Sequence, residues 1–572
     1  MLDRYRAERD KRIRADGIDQ YLELTGRFAA MAEDPHVERV EREPVRREVT
    51  ALFVGAGFAG LTTGARLVEA GIDVLLVEKG GGVGGTWYWN RYPGAQCDTH
   101  SFVYLPLLEE TGHVSTEKYA HGPEILEHCE RIAEHYGLAE RSLFHTVVTD
   151  IAWDGDARRY LVRTDRGDEL AARHVILGTG PLHKPKLPGI PGIETFAGHA
   201  FHTSRWDWAF SGGDRFGAPM TGLADQRVAV IGTGATAVQC VPHLARDAAA
   251  LSVFQRTPSS IDVRANEPTD LDWFEREVQA PGWQERWLTN FTLVQTGGWA
   301  EEDLVHDGWT DIARRIRDKV VERAAAGEAV DADLLARAFG DSDFEKMEEI
   351  RARVDQVVTD PDTAEALKAW YPQLCKRPCF HDEYLEAFNR PTVRLVDTGG
   401  RGVERITERG VVANGEEFEV DCIVFASGFE VGTDHARRAG FDVTGPEGRR
   451  LSEAWDEGMV SLHGMHVHGF PNLYVVGAAQ AANLISNYPH NLAEAAKTVA
   501  AILTHAEAEG IVEVEATAEA QDAWMELVLQ RQGLIGGGAA DCTPGYYNNE
   551  GHDAGLRGRR GAASYPDGPV AF

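Results

Sequence analysis

Two glycine-rich turns carry the first chemistry that can be read from the chain. Gly55-Ala56-Gly57-Phe58-Ala59-Gly60 follows the apolar run Val49 to Val54 and opens a helix-like stretch to Ala70. Gly55 permits the tight turn, Gly57 lets backbone approach a pyrophosphate, and Gly60 lets helix and strand pack closely. The helix N-terminus then favours phosphate charge. Glu78 ends the next apolar run, 21 residues after Gly57, where a carboxylate can accept hydrogen bonds from an adenosine ribose. The second turn is Gly232-Thr233-Gly234-Ala235-Thr236-Ala237, with Ala in the third glycine position, a replacement the fingerprint allows. Its following strand ends Phe254-Gln255-Arg256-Thr257, so Arg256 stands where Glu78 stands in the first unit.

That exchange separates the ligands. A carboxylate would repel a ribose 2′-phosphate, whereas a guanidinium pairs with it as a fork. The Glu78 site suits FAD and the Arg256 site suits NADPH. Phe58 and Lys79 flank the first site, and Thr233, Ala235, Thr236 and Thr257 flank the second. A flavin reduced by NADPH is compatible with a disulfide reductase, an oxidase or a monooxygenase. A reductase needs a dithiol beside the flavin, and the chain has no CxxC.

A segment between the two turns narrows the choice. Phe196, Gly198, His202, Thr203, Trp206 and Asp207 fill every fixed position of the pattern FxGxxxHTxxW(P/D) within twelve residues. This is the fingerprint of type I Baeyer–Villiger monooxygenases, and the chain resembles that family from about residue 49 to its end. The stretch Gly84 to Asp98 (GGTWYWNRYPGAQCD) is similar to the family's flavin-side segment, which implies cofactor contacts for Gly85, Thr86, Trp87, Tyr92 and Asp98. FASGF, residues 425–429, is similar to the ATG-type strand of flavin monooxygenases, with Ser427 where Thr is usual. The N-terminal extension is similar to that of relatives acting on large-ring or polycyclic ketones.

The resemblance implies a reaction. NADPH reduces FAD, O2 adds at flavin C4a, and the resulting peroxide anion attacks a ketone to give an ester or lactone. A bulky cyclic or polycyclic ketone is the expected substrate. An anion in a water-poor cavity needs a fixed cation, and the matching family position is Arg377. Asp98 matches the acid that pairs with it, and Lys376 matches a second contact to the 2′-phosphate. His202 and Trp206 are expected at a hinge between the domains. Each residue also has a structural reading: Arg256 and Arg377 as surface charges, Asp98 as a turn cap, Trp206 and the run Trp87-Tyr88-Trp89 as core packing. An N- or S-oxygenating flavin enzyme is the alternative activity, but many of that group lack the HTxxW(P/D) ending.

One departure concerns the substrate wall. Many members carry a Trp in a late loop, whereas here the region around Asp541-Cys542 reads GAADCTPGYYN, without one. The loop Gly477 to Asn491 is expected along the flavin, with Asn483 as a cofactor contact and Leu484, Ile485 and Tyr488 as pocket candidates.

The elements that position these residues follow from the pattern. Two strand–turn–helix–strand units imply an α/β protein with two Rossmann-like dinucleotide-binding domains. The expected division is an N-terminal helical extension over 1–48, an FAD-binding domain over 49–185 and 422–572, an NADP-binding domain over 186–258 and 375–421, and a helical insert over 259–374. Residues 266–370 are rich in Glu, Asp, Arg and Ala at helical spacing, and a solvated face is expected there. The tail from Gly536 is expected to lack regular structure. The chain has 572 residues and a net charge of −32, a balance that argues against nucleic-acid binding or an anionic membrane surface. No apolar run is long enough to span a bilayer, and the charged N-terminus lacks a secretory h-region, so a cytoplasmic enzyme with no obligatory protein partner is expected. The seven cysteines are scattered, which predicts no disulfide framework and no use of Cys375 with Cys379 as a metal or redox pair.

Overall fold

A computed structural model of the chain describes residues 1–298, 300–478, 480–481, 487–531, 541–552, 555–565 and 567–571. Two mainly parallel sheets carry it. The first is centred on Arg46–Val54, which pairs in parallel with Val74–Val77 on one side and with Glu169–Leu177 on the other. Its last residues are apolar without alternation because helices and loops bury both faces, as parallel sheets require. The sheet has eight strands, extended on one edge by the antiparallel pair Val148–Asp154 and Arg159–Thr164 and on the other by Ser142–Leu143. Leu473–Val475 returns late in the chain to pair with Glu169–Leu177. One face packs under the helix Phe58–Glu69 and the long helix Tyr488–Glu509.

The second sheet has five strands, all parallel, in the order Val393–Asp397, Ala250–Gln255, Arg227–Ile231, Cys422–Phe425, His199–His202. Two corrections to the expected boundaries follow. The first strand begins at Arg46 rather than Val49. The strand Cys422–Phe425, expected in the first unit, belongs to the second sheet, where Val228 pairs with Cys422 and Ile231 with Phe425. Its apolar run suits either sheet, so periodicity could not assign it.

The stretch 266–370 is helical, with helices Trp283–Gln295, Gly308–Ala325, Ala332–Val357 and Pro361–Leu367. Asp307 and Thr310 form a reciprocal cap on the second of these, and Asp331 caps the third. The N-terminal extension holds one regular helix, Leu2–Asp10, followed by single 3-10 turns and the two-residue strand Tyr21–Leu22 against Leu187–Pro188. Leu22 and Leu24 pack on the core of the second sheet, while Ile13 and Ile18 stay exposed. The tail is more ordered than its glycine content suggested, with a turn at Asn549–Gly551 and helices Gly555–Ala562 and Gly568–Ala571. Cys375 and Cys542 form a disulfide across 167 residues, correcting the expectation from spacing, while Cys379 is buried and unbonded. Among the described residues no helix is long and apolar enough to cross a membrane.

Candidate active site

The first glycine turn is built by close packing. Gly55 has φ +110°, and a Cβ there would lie 2.7 Å from the Gly178 carbonyl oxygen. A Cβ on Gly60 would overlap the Gly55 carbonyl. Gly57 faces Gly85, whose Cα a Cβ on Gly57 would approach to 3.3 Å. The helix Phe58–Glu69 has no side-chain cap, so its first N–H groups remain for an anion. Glu78 is buried and accepts hydrogen bonds from the backbone N–H groups of Ala56 and Gly80, both at 2.7 Å, which fixes its carboxyl beside the turn. Burial pushes the Glu78 carboxyl up, against those two donors. A narrow glycine cradle, an uncapped helix and a fixed acid fit an adenine dinucleotide.

The residues between Gly84 and Asp98 surround this cradle. Thr86 opens the short helix Thr86–Trp89, and the Trp87 indole donates to the Tyr104 hydroxyl at 3.1 Å. The Phe58 and Tyr104 rings meet edge-on at 5.7 Å. Lys79 lies over the Trp89 ring at 5.2 Å, and burial pushes its amine down to about 8. The Tyr92 hydroxyl donates to Gln239 at 2.8 Å, and Gln239 donates to the Gln96 carbonyl at 2.7 Å. These bonds tie the flavin-side segment to the helix Ala235–Asp247 of the other sheet.

Asp98 and Arg377 meet although they are 279 residues apart. Nε and Nη2 of Arg377 donate to the two carboxylate oxygens at 2.7 and 2.6 Å, a bidentate fork. Burial opposes both charges, but Arg377 holds Asp98 below the usual carboxylate range and Asp98 holds Arg377 firmly protonated. The insert reaches this pair. The Trp309 indole N–H donates to the Asp98 backbone carbonyl at 2.8 Å, and the guanidinium of Arg377 lies 4.9 Å from the Trp309 ring centre. The insert therefore presents more than a solvated face. From the tail come Tyr546 and Tyr547, with rings 4.4 Å apart. Both rings are exposed, at 39% and 40%, and stand within electrostatic reach of Arg377.

The second glycine turn is open where the first is filled. Gly232 has φ +114°, and a Cβ there would lie 2.5 Å from the Ala426 carbonyl oxygen. Nothing lies within 4 Å of a Cβ on Gly234, and the helix Ala235–Asp247 that follows has no side-chain cap. The Thr233 hydroxyl donates to the Thr257 carbonyl at 2.7 Å, closing the base of the turn. Arg256 and Lys376 stand beside it. Arg256 donates to Gln20 at 3.0 Å and to Glu550 at 3.4 Å. Lys376 donates to the Pro544 carbonyl at 3.2 Å, and burial, then Arg256, push its amine down to about 8. Room at Gly234 with cations beside it fits a phosphorylated dinucleotide.

The twelve-residue fingerprint lies along the second sheet. Phe196 is buried in its core, and a Cβ on Gly198 would lie 2.5 Å from the Asp421 carbonyl oxygen. His202 is fully buried and pairs in register with Phe425. Its ring nitrogens meet the Ser204 hydroxyl at 2.8 Å and the Gly428 carbonyl at 3.1 Å, and burial pushes it down to about 3, so it is neutral. Trp206 packs in the sheet core with Phe201 and donates to Ser211 at 3.1 Å. Asp207 caps the turn after it by accepting from Phe210 N–H at 3.0 Å, and it meets His199 at 3.0 Å. Tyr488 opens the helix Tyr488–Glu509 and its hydroxyl donates to the Gly477 carbonyl at 2.5 Å. Asn483, Leu484 and Ile485 lie outside the described residues.

Several neighbours of the site had no local signal. Trp309 comes from the insert, Gln20 and Tyr21 from the extension, and Lys186 and Glu550 from two further segments. Each becomes a site residue only through long-range packing. The odd pairing Cys375–Cys542 was the one feature a cysteine list could have raised.

Comparison with known proteins agrees with this arrangement. The profile of the pyridine nucleotide-disulphide oxidoreductase family matches residues 52–271, a span that contains both glycine turns. Neopentalenolactone D synthase of Streptomyces avermitilis is 50% identical, covering 100% of this chain and 95% of that protein. A Baeyer–Villiger monooxygenase of Streptomyces coelicolor is 49% identical, covering 100% and 94%. Among solved structures, the polycyclic ketone monooxygenase of Thermothelomyces thermophila superimposes with a TM-score of 0.90 at 36% identity, covering 100% and 95%. OTEMO in complex with FAD and NADP gives 0.71 at 28% identity, covering 86% and 92%. With two dinucleotide folds, a paired Arg377–Asp98 and relatives matched along their whole length, the chain belongs to the Baeyer–Villiger monooxygenases, flavin enzymes that use FAD and NADPH.

Proposed function

We propose that this enzyme inserts one oxygen atom beside the carbonyl of a bulky cyclic or polycyclic ketone, giving a lactone or ester. The names of its relatives support that substrate class: one is a lactone synthase and one a polycyclic ketone monooxygenase. The balance is one ketone, NADPH, proton and O2 consumed, and one ester, NADP+ and water formed. Bound FAD, reduced by NADPH, supplies the activated oxygen.

The chain's own residues do the rest. The turn Gly55 to Gly60, with Gly85, Thr86, Trp87 and Tyr92 around it, holds the flavin nucleotide, and Glu78 sets the adenosine end. Gly232 to Thr236 with Thr257 hold the second nucleotide, and Arg256 and Lys376 take its 2′-phosphate. Arg377 is the fixed cation for negative charge developing at the reacting oxygen. Asp98 holds it protonated, so it stabilises charge without giving up a proton. Asp98 orients the guanidinium through the fork, and Trp309 packs against the pair. His202 is read as a neutral link between its strand and the Ser427–Gly428 turn. The division into extension, FAD unit, NADP unit and insert is proposed as well, with Cys422–Phe425 moved to the NADP unit. A cytoplasmic setting is proposed on NADPH as the donor, with a single disulfide beside five unbonded cysteines.

The observation that carries this reading is the bidentate Arg377–Asp98 pair, which joins residues 279 apart. The test is a panel of monocyclic, polycyclic and linear ketones with NADPH and labelled O2. One labelled oxygen in a lactone per NADPH supports the reading. Oxygenated sulfides or amines with every ketone untouched would replace it.

A further inference from the structure

Arg256 and Lys376, the cations proposed for the 2′-phosphate, stand with Lys186 around an anion that belongs to this chain. Glu550 is 4% exposed. Its Oε1 accepts from Lys186 Nζ at 2.9 Å and from the Tyr21 hydroxyl at 3.0 Å, and its Oε2 faces Arg256 at 3.4 Å. Burial would raise this carboxyl, but Lys186, Arg256 and Lys376 override it and keep it ionised.

The segment bearing Glu550 is fastened beside these cations at two points. Cys542 is bonded to Cys375, next to Lys376, and Lys376 itself donates to the Pro544 carbonyl. Such a tether raises the local concentration of the carboxylate at the cations. The backbone delivering it is unusual. Asn549 and Glu550 have φ of +50° and +55°, left-handed conformations that non-glycine residues adopt only when surrounding contacts impose them.

We propose that Glu550 is a built-in stand-in for the 2′-phosphate, displaced when the phosphate arrives, and so a specificity-determining residue for the nicotinamide nucleotide. A carboxylate and a phosphate dianion cannot share one set of cations without strong repulsion. The phosphorylated nucleotide binds only the fraction of molecules in which the cations are free. An unphosphorylated nucleotide leaves Glu550 in place and gains nothing from its removal. Glu550 thus narrows the preference for the phosphorylated form and couples its arrival to release of the tail. This inference rests on the assignment of Arg256 and Lys376 to the 2′-phosphate.

The test uses full-length FAD-loaded protein and calorimetric binding of 2′,5′-ADP and 5′-ADP. Glu550→Gln is expected to bind 2′,5′-ADP about five- to tenfold tighter, through the rise in competent fraction, with 5′-ADP unchanged. Equal or weaker binding of 2′,5′-ADP would overturn the proposal, as would an equal gain for both nucleotides. Arg256→Ala separates the two layers. If it fails to reduce the preference for 2′,5′-ADP, the phosphate assignment itself falls; if it does reduce it while Glu550→Gln gains nothing, only the role of Glu550 falls. Unmodified protein gives a second readout should the variant lose flavin: at matched saturation, 2′,5′-ADP should speed tryptic cleavage after Arg557 or Arg559 relative to 5′-ADP, and an equal or slower rate would overturn the proposal.

Discussion

The indole N–H of Trp309 donates to the backbone carbonyl of Asp98 at 2.8 Å. The helical insert thereby touches the carboxylate partner of Arg377 from a distance of 211 residues along the chain. Trp309 is buried in the first turn of the helix Gly308–Ala325, whose start is fixed by the Asp307–Thr310 cap. The cap, the indole and the ion pair form one continuous support.

Trp309→Phe keeps the ring and removes the donor. A lost hydrogen bond of this kind is worth about 1 kcal/mol, so ester formation should fall roughly five- to tenfold. Flavin content and the rate of flavin reduction by NADPH should stay near those of the parent. Product and NADPH counted together will show it, since a looser Arg377 should leave more NADPH oxidised without ester. Unchanged coupling would mean that Trp309 only packs.

With Lys376 at the 2′-phosphate, as proposed, nucleotide binding should depend on pH. Burial, then Arg256, push its amine down to about 8, so it is charged below that pH and loses its charge above it. Bound phosphate favours the charged form, so affinity should be level up to about pH 7.5 and fall several-fold by about pH 9.5. Binding of 2′,5′-ADP should show this decline and 5′-ADP should not. In Lys376→Met the decline should vanish while overall affinity drops. The facing groups Arg256, Glu550, Arg12 and Lys186 set the position of the decline.

The Cys375–Cys542 disulfide is directly countable. Of seven cysteines five are unbonded, so protein denatured without reductant should titrate five thiols, and seven after reduction. A bridge closing so long a loop contributes typically about 2–4 kcal/mol, and reduction should lower the melting temperature by a few degrees. Seven thiols before reduction would remove the bridge from the account, together with one fastening of the Glu550 segment.

The sequence reached some of this and missed the rest for physical reasons. The glycine turns were legible because a dinucleotide imposes short-range demands on φ and on space, and Gly55, Gly60 and Gly232 meet them in the structure. Arg256 in place of an acid was read from the end of the strand, and its part in binding the 2′-phosphate is a proposal. The pairing of Asp98 with Arg377 came only through family resemblance, since no local pattern links residues 279 apart. Trp309, Tyr21, Lys186 and Glu550 were illegible: each is an ordinary residue in a helix, turn or loop until tertiary packing brings it to the site. Cys422–Phe425 was seen as a strand but given to the wrong sheet, because an apolar run of four residues carries no address. The tail was read as irregular from composition, yet contacts with the site hold Asn549–Gly551 in a defined turn.

In the proposed mechanism Arg377 supplies the fixed positive charge for oxygen insertion and nothing needed before it. Arg377→Met in the FAD-loaded enzyme tests this with one stopped-flow and product measurement. Flavin reduction by NADPH is expected at close to the parent rate, with continued consumption of O2 and ester formation reduced by at least about a hundredfold, the scale of losing a preorganised charge stabiliser. Ester formed within a few-fold of the parent rate would contradict it.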